Sequence, residues 1–163
     1  MRVDPKRIAI EYYFGDLQYW KIPGIAAKAL EDGFDGPALR KLAGLANLTR
    51  KEIRAEDVRS TEIDSAFCEM GVDAPITEQE AQLTLATESA NRALRGSSNV
   101  FDEATYIRIH LCHLSEPPEY LRQIVNLSKE AKNAPRLQWS HIEGDLENAF
   151  ADLLAHQKTP APE

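Results

Sequence analysis

Helix-start and helix-stop residues punctuate this chain from end to end, and they constrain its fold more than any other feature. Asp4-Pro5 pairs an N-cap side chain with a proline at the first helical position. Gly15, Gly33 and Gly96 each stand just past an apolar helical pattern, where a left-handed residue ends a helix. Thr49-Arg50-Lys51-Glu52 and Thr77-Glu78-Gln79-Glu80 both have the capping-box spacing, hydroxyl and carboxylate three apart. Between these marks the apolar residues recur at helical spacing. The spacing predicts helices over 5–14, 23–32, 37–45, 57–71, 78–95, 102–114, 119–133 and 140–156. No segment alternates apolar and polar residues with β-branched enrichment, so no strand is expected. The fold class is therefore all-α: an irregular bundle of about eight short helices around a single layer-packed core. Residues 1–156 are expected to form one helical domain, with 157–163 a flexible C-terminal tail.

Two of these segments carry more specific expectations. Over 102–114, Tyr106, Ile109 and His113 lie on one side and Ile107, Leu111 and Leu114 on another, which suggests a central helix buried on both faces. The aromatic group Tyr12, Tyr13, Phe14, Tyr19 and Trp20 reads as the place where the first helix docks on the core, with a ligand platform or interface anchor as the other reading. Cys68 and Cys112 sit inside apolar patterns without CxxC spacing and read as small buried hydrophobes with free thiols.

The 163-residue chain is long enough to bury a sizeable core without disulfides or metals. No stretch approaches the roughly 20 apolar residues of a membrane span, and no signal peptide is visible, so a cytoplasmic protein without membrane association is expected. The net charge of −7 is unevenly placed. Residues 1–51 carry nine Lys/Arg against six Asp/Glu, 52–103 four against twelve, and the remainder six against eight. The acidic middle argues against nucleic acid, whose phosphates need clustered Lys/Arg. It suits a basic protein partner, and the plainer alternative is a solvated face. The densest carboxylate run supplies the candidate partner contacts Glu56, Asp57, Glu62, Asp64, Glu69 and Asp73.

Motifs that carry chemistry are scarce. There is no GxGxxG, P-loop or GxSxG, and no catalytic residue or cofactor is assigned. His110 and His113 share a helix face and are the only weak candidates for a metal. A zinc site needs further ligands, and none stands at a defining spacing, so no metal is expected.

Ile25 to Leu45, reading IAAKALEDGFDGPALRKLAGL, is followed in order by LTRKEIR, SAFCEMGVDAPITEQEA, a long helix and PPEYLRQIVNLSKEA. This order resembles small, mostly uncharacterised all-helical proteins of bacteria, some of which act as immunity partners of secreted toxins. It covers about Ile22 to Ala155. The resemblance implies a helical fold and transfers no catalytic residue. Where such proteins often carry an aromatic residue late in the sixth helix, this chain has His110-Leu111-Cys112-His113-Leu114. The expected function is an immunity or antitoxin-like inhibitor that covers a bacterial toxin through an acidic helical surface. The alternatives are a small helical adaptor or regulatory protein, and a metal-dependent enzyme built on His110 and His113.

Overall fold

The computed structural model describes residues 2–112 and 116–158, the side chain of Lys158 excepted. Among these residues the structure is helical, with nine α-helices and no strand. The chain divides into two compact units, Met1–Ala81 and Gln82–Glu163, where the sequence reading treats 1–156 as one domain.

In the first unit α1 spans Pro5–Phe14. The Asp4 carboxylate accepts from the Arg7 N–H at 3.1 Å, and Gly15 closes the helix at φ 96° by donating to the Glu11 and Tyr12 carbonyls. A 3₁₀ turn, Tyr19–Lys21, leads directly into α2 (Ile22–Glu31), and α3 (Pro37–Ala43) follows. The Thr49 capping box forms as its spacing predicts, but it opens a separate six-residue helix, α4 (Arg50–Ala55). The expected helix from Asp57 is corrected here. Asp57 adopts φ 49°, a left-handed conformation that breaks the chain between helices, and α5 begins only at Ser60, running to Glu69. Ile22, Ala26, Leu39, Leu42, Ile63, Ala66 and Phe67 form the core. Tyr12 and Tyr13 flank Phe67 with ring centroids 5.8 and 5.7 Å away, so this part of the aromatic group docks α1 as expected. Tyr19 packs edge-on against Trp20, and the Arg50 guanidinium lies 3.7 Å from the Trp20 ring centroid.

The division between the units falls within α6 (Glu78–Leu94), which the second capping box opens. The Thr77 N–H donates to Glu80 Oε2 at 2.9 Å, and the Glu80 N–H donates to Thr77 Oγ1 at 3.1 Å. The second unit continues with α7 (Val100–Tyr106), α8 (Glu119–Asn133) and α9 (Trp139–Lys158). Asn99 caps α7 through the Phe101 N–H at 2.8 Å, so the helix starts at Val100, two residues before the expected start at Asp102. The helix also ends early as an α-helix, because Ile107–Leu111 widens into a π-helical turn. Gln82 ties down the end of that turn, donating to the Leu111 carbonyl at 2.7 Å while accepting from the Tyr120 hydroxyl at 2.9 Å. Leu85, Ile107, Leu121, Ile124, Ile142, Leu146 and Phe150 are buried. A 3₁₀ turn, Arg136–Gln138, precedes α9, and α9 includes Gln157 and Lys158 from the expected tail. The rest of that tail, 159–163, lies outside the described residues.

Two expectations about burial are corrected. The π turn buries Ile107 and Leu111 but leaves Ile109 47% exposed, so this helix is buried on one side only. Cys68 is exposed and Cys112 half-buried; both thiols are free, as expected, but Cys68 is no core residue.

Candidate functional site

The six candidate acidic residues separate into two groups. Glu56, Asp57 and Asp73 are exposed. Glu62, Asp64 and Glu69 are half-buried and bonded within the first unit. Glu69 sits across the start of α3, taking the Ala38 N–H at 3.0 Å on one carboxylate oxygen and the Leu39 N–H at 2.8 Å on the other. It thus satisfies two of the donors that a helix start leaves unpaired. Gly36 makes room for it: a Cβ there would lie 2.1 Å from Glu69 Cδ. Asp64 accepts from the Tyr13 hydroxyl. Burial first, and then the bond to Asp64, push the Tyr13 phenol well above its ordinary value, so it stays a donor. Glu62 pairs with Lys41, whose hydrogen bond holds the carboxyl below the usual range. The acidic surface offered to any partner is therefore thinner than the sequence count implies. The carboxylates sit at helical spacing with no apolar signal of their own, so their internal partners Tyr13, Lys41 and the α3 start could not be read from the run itself.

His110 is exposed, with its ring centroid 5.2 Å from that of Tyr106. His113 lies outside the described residues. Among the described residues no group of three or more His, Cys, Asp or Glu side chains is placed to hold a metal. His141, in the first turn of α9, is exposed and lies 3.4 Å from Asp145 on its own helix. No described helix is long and apolar enough to cross a membrane.

The second unit carries a surface feature that the sequence reading missed. Two clefts of about 510 and 560 Å³ adjoin one another and share Arg108 and Ile109 of the π turn. Phe101 and Trp139 line one cleft, their ring centroids 5.5 Å apart, and Trp139 is 42% exposed. Trp139 is fixed by its indole N–H, which donates to the Ala134 carbonyl at 3.2 Å. Cys112 and Val125 line the other cleft. Lys129 and Lys132 come from α8, beside the buried stripe of Leu121, Ile124, Val125 and Ser128. Arg108 Nε donates to the buried Ser128 hydroxyl at 3.0 Å, which orients the guanidinium at the junction of the clefts. Among the described residues no carboxylate pairs with Arg108, Lys129 or Lys132. Asp102 lines one cleft and Glu116 the other.

A signal for this groove does exist in the sequence. Ile109 is two residues from both Ile107 and Leu111, a step of about 200° around a helix. One of these faces had to point away from whatever core received the other.

Within the second unit, α6 and α7 are joined by a buried carboxylate. Glu103, 6% exposed, accepts from Arg92 Nε and Nη2, both at 2.8 Å, and from the Ser89 hydroxyl. Burial alone would raise its pKa. The hydrogen bonds from Arg92, Ser89 and Ser98 outweigh that and hold the carboxyl below the usual range. This network is a structural tie, since its acceptor atoms are occupied from within the unit.

Set beside known protein families, curated sequences and solved structures, the chain matches none of them.

Proposed function

We propose that this chain is a protein-binding module that acts by occupying the surface of a partner, with the α7–α8 groove as its contact. One observation carries the reading. Ile109 and Trp139 expose large apolar groups around the clefts beside the half-buried Phe101, and the neighbouring cations have no carboxylate partner among the described residues. Aromatic side chains and Arg are enriched at the energetic centres of interfaces, and Trp139 and Arg108 are each held in one geometry by an internal hydrogen bond. That fixation lowers the ordering cost of association. A helical adaptor or regulatory protein is the form of function this supports best.

A second reading keeps the toxin inhibitor, and the exposure of Glu56, Asp57 and Asp73 favours it. In that case these three carboxylates face a basic toxin, and Glu62, Asp64 and Glu69 hold the first unit in shape behind them. The metal-enzyme reading has no comparable observation behind it.

Site-specific photocross-linking separates these readings. A photoreactive residue is placed at Ile109 or at Asp73 in the source cell, and adducts are identified by mass spectrometry. A discrete adduct from Ile109 supports the groove. An adduct from Asp73 alone, with a basic protein, supports the inhibitor. No adduct from either position overturns a protein-binding role.

A further inference from the structure

We infer that the α7–α8 groove takes an amphipathic α-helix of a partner protein whose apolar stripe is flanked by Asp and Glu. The inference rests on the protein-binding reading and names the chemistry of the partner. Three features point to it. First, the groove is open and continuous: two clefts joined at Arg108 and Ile109 are lined by α7, the π turn and α8, an arrangement that can seat a helix. Second, two of its large apolar residues, Ile109 and Trp139, are surface-exposed. Ile109 projects from the π turn, a distortion found frequently at functional sites, and Trp139 stands at the start of α9. Third, the charges select the occupant. In a chain of net charge −7, the groove gathers Arg108, Lys129 and Lys132 without an ion pair among the described residues. Lys129 and Lys132 are three apart on α8 and so project from neighbouring positions of one helix face. An apolar stripe on a docked helix would meet Ile109, Phe101 and Trp139, and carboxylates beside the stripe would meet the cations. A basic helix would place like charges together, which costs affinity and slows encounter. Asp102 and Glu116 make the groove selective as well as attractive, because they disfavour carboxylates at those two positions.

The test uses the full chain and a displayed library of amphipathic helices of about four turns, with a fixed Leu/Phe stripe and all flanking positions randomised. The expected result is enrichment of Asp and Glu at the flanks. A selected peptide should bind with an affinity that falls with salt, and the double variant K129E/K132E should weaken it at least about tenfold. Ile109→Ser should weaken the same peptide with little change in its salt dependence. Both variants alter exposed residues, and circular dichroism checks that they fold. Enrichment of Lys and Arg, or binding indifferent to K129E/K132E, overturns the proposal. Binding of phosphatidylglycerol vesicles through Lys129 and Lys132 without any peptide enrichment also overturns it, and assigns the cations to lipid headgroups. Failure of the library alongside an Ile109 cross-link to a protein rejects the acidic helix and leaves the protein-binding reading standing. Failure of both rejects the two together.

Discussion

In residues 1–81 carboxylates turn back onto the chain. Glu69 closes the start of α3, Asp64 receives Tyr13, Glu62 meets Lys41, and Asp32 accepts the Val3 N–H at 2.6 Å. In residues 82–163 one carboxylate, Glu103, is buried in a network of its own, and cations are left beside exposed apolar groups. The contrast separates charge that builds a fold from charge available to something else. A count of acidic residues located the first unit as the interaction surface. The bonding pattern shifts attention to the second, where Arg108, Lys129 and Lys132 have no carboxylate partner among the described residues.

The largest test of this comparison lies in the cores that hold each pattern in place. Phe67→Ala in the first unit and Phe150→Ala in the second should each cost about 3–5 kcal/mol in chemical denaturation, since both rings are fully enclosed and leave a cavity. A loss below about 1 kcal/mol at either site would mean that the packing around it collapses to fill the space.

Breaking the buried pair comes next. Glu103→Gln should cost about 2 kcal/mol, less than a fully buried ion pair because Arg92 reaches solvent. The pH dependence has a definite sign. The folded-state pKa of Glu103 is depressed, so its contribution is fully present above the unfolded glutamate range and lost as pH falls through the folded value. Denaturation midpoints of the parent chain should decline through that acidic window more steeply than those of Glu103→Gln. Parallel curves would remove Glu103 from the acid response.

A smaller effect is expected where Glu69 meets α3. Glu69→Ala should cost about 1 kcal/mol, the scale of a lost helix cap. Gly36→Ala should cost a similar amount, because the new methyl group displaces the carboxylate from the Ala38 and Leu39 N–H groups. The two substitutions remove one interaction, so the double variant should be little worse than either alone. Full additivity would show that Gly36 matters for another reason.

The smallest changes are expected at the exposed positions. Ile109→Ser, Glu56→Lys and Asp73→Lys should each alter stability by less than about 0.5 kcal/mol. A large loss on Ile109→Ser would make that side chain part of the packing and weaken its assignment to a binding surface.

Local residue chemistry made much of the helical order legible in advance. Asp4-Pro5, Gly15, the Thr49–Glu52 box and the Thr77–Glu80 box all act as their types and spacing predict, because a cap is satisfied within three or four residues of itself. Boundaries failed where a local preference met two usable signals. Thr49 opened a short helix that Asp57 then ended at φ 49°, and the continuous helix expected over 102–114 became α7 and a π turn. The candidate site was legible only in its residue types. Helical spacing places Ile107 and Ile109 on opposite faces, and both are equally apolar, so nothing in the pattern says which one meets a core. Likewise Glu56 and Glu69 carry the same charge, and the charge alone does not say which of them turns inward. The sequence by itself determined the helix ends marked by Asp4, Gly15, Thr49 and Thr77, since those caps pair with their own near neighbours. Only the tertiary structure decided that Ile107 is buried and Ile109 exposed, that Glu69 closes α3 while Glu56 faces outward, and that Arg108 rests on Ser128. These depend on partners 20 to 31 residues away, and burial is set by what packs against a face, which no local spacing encodes.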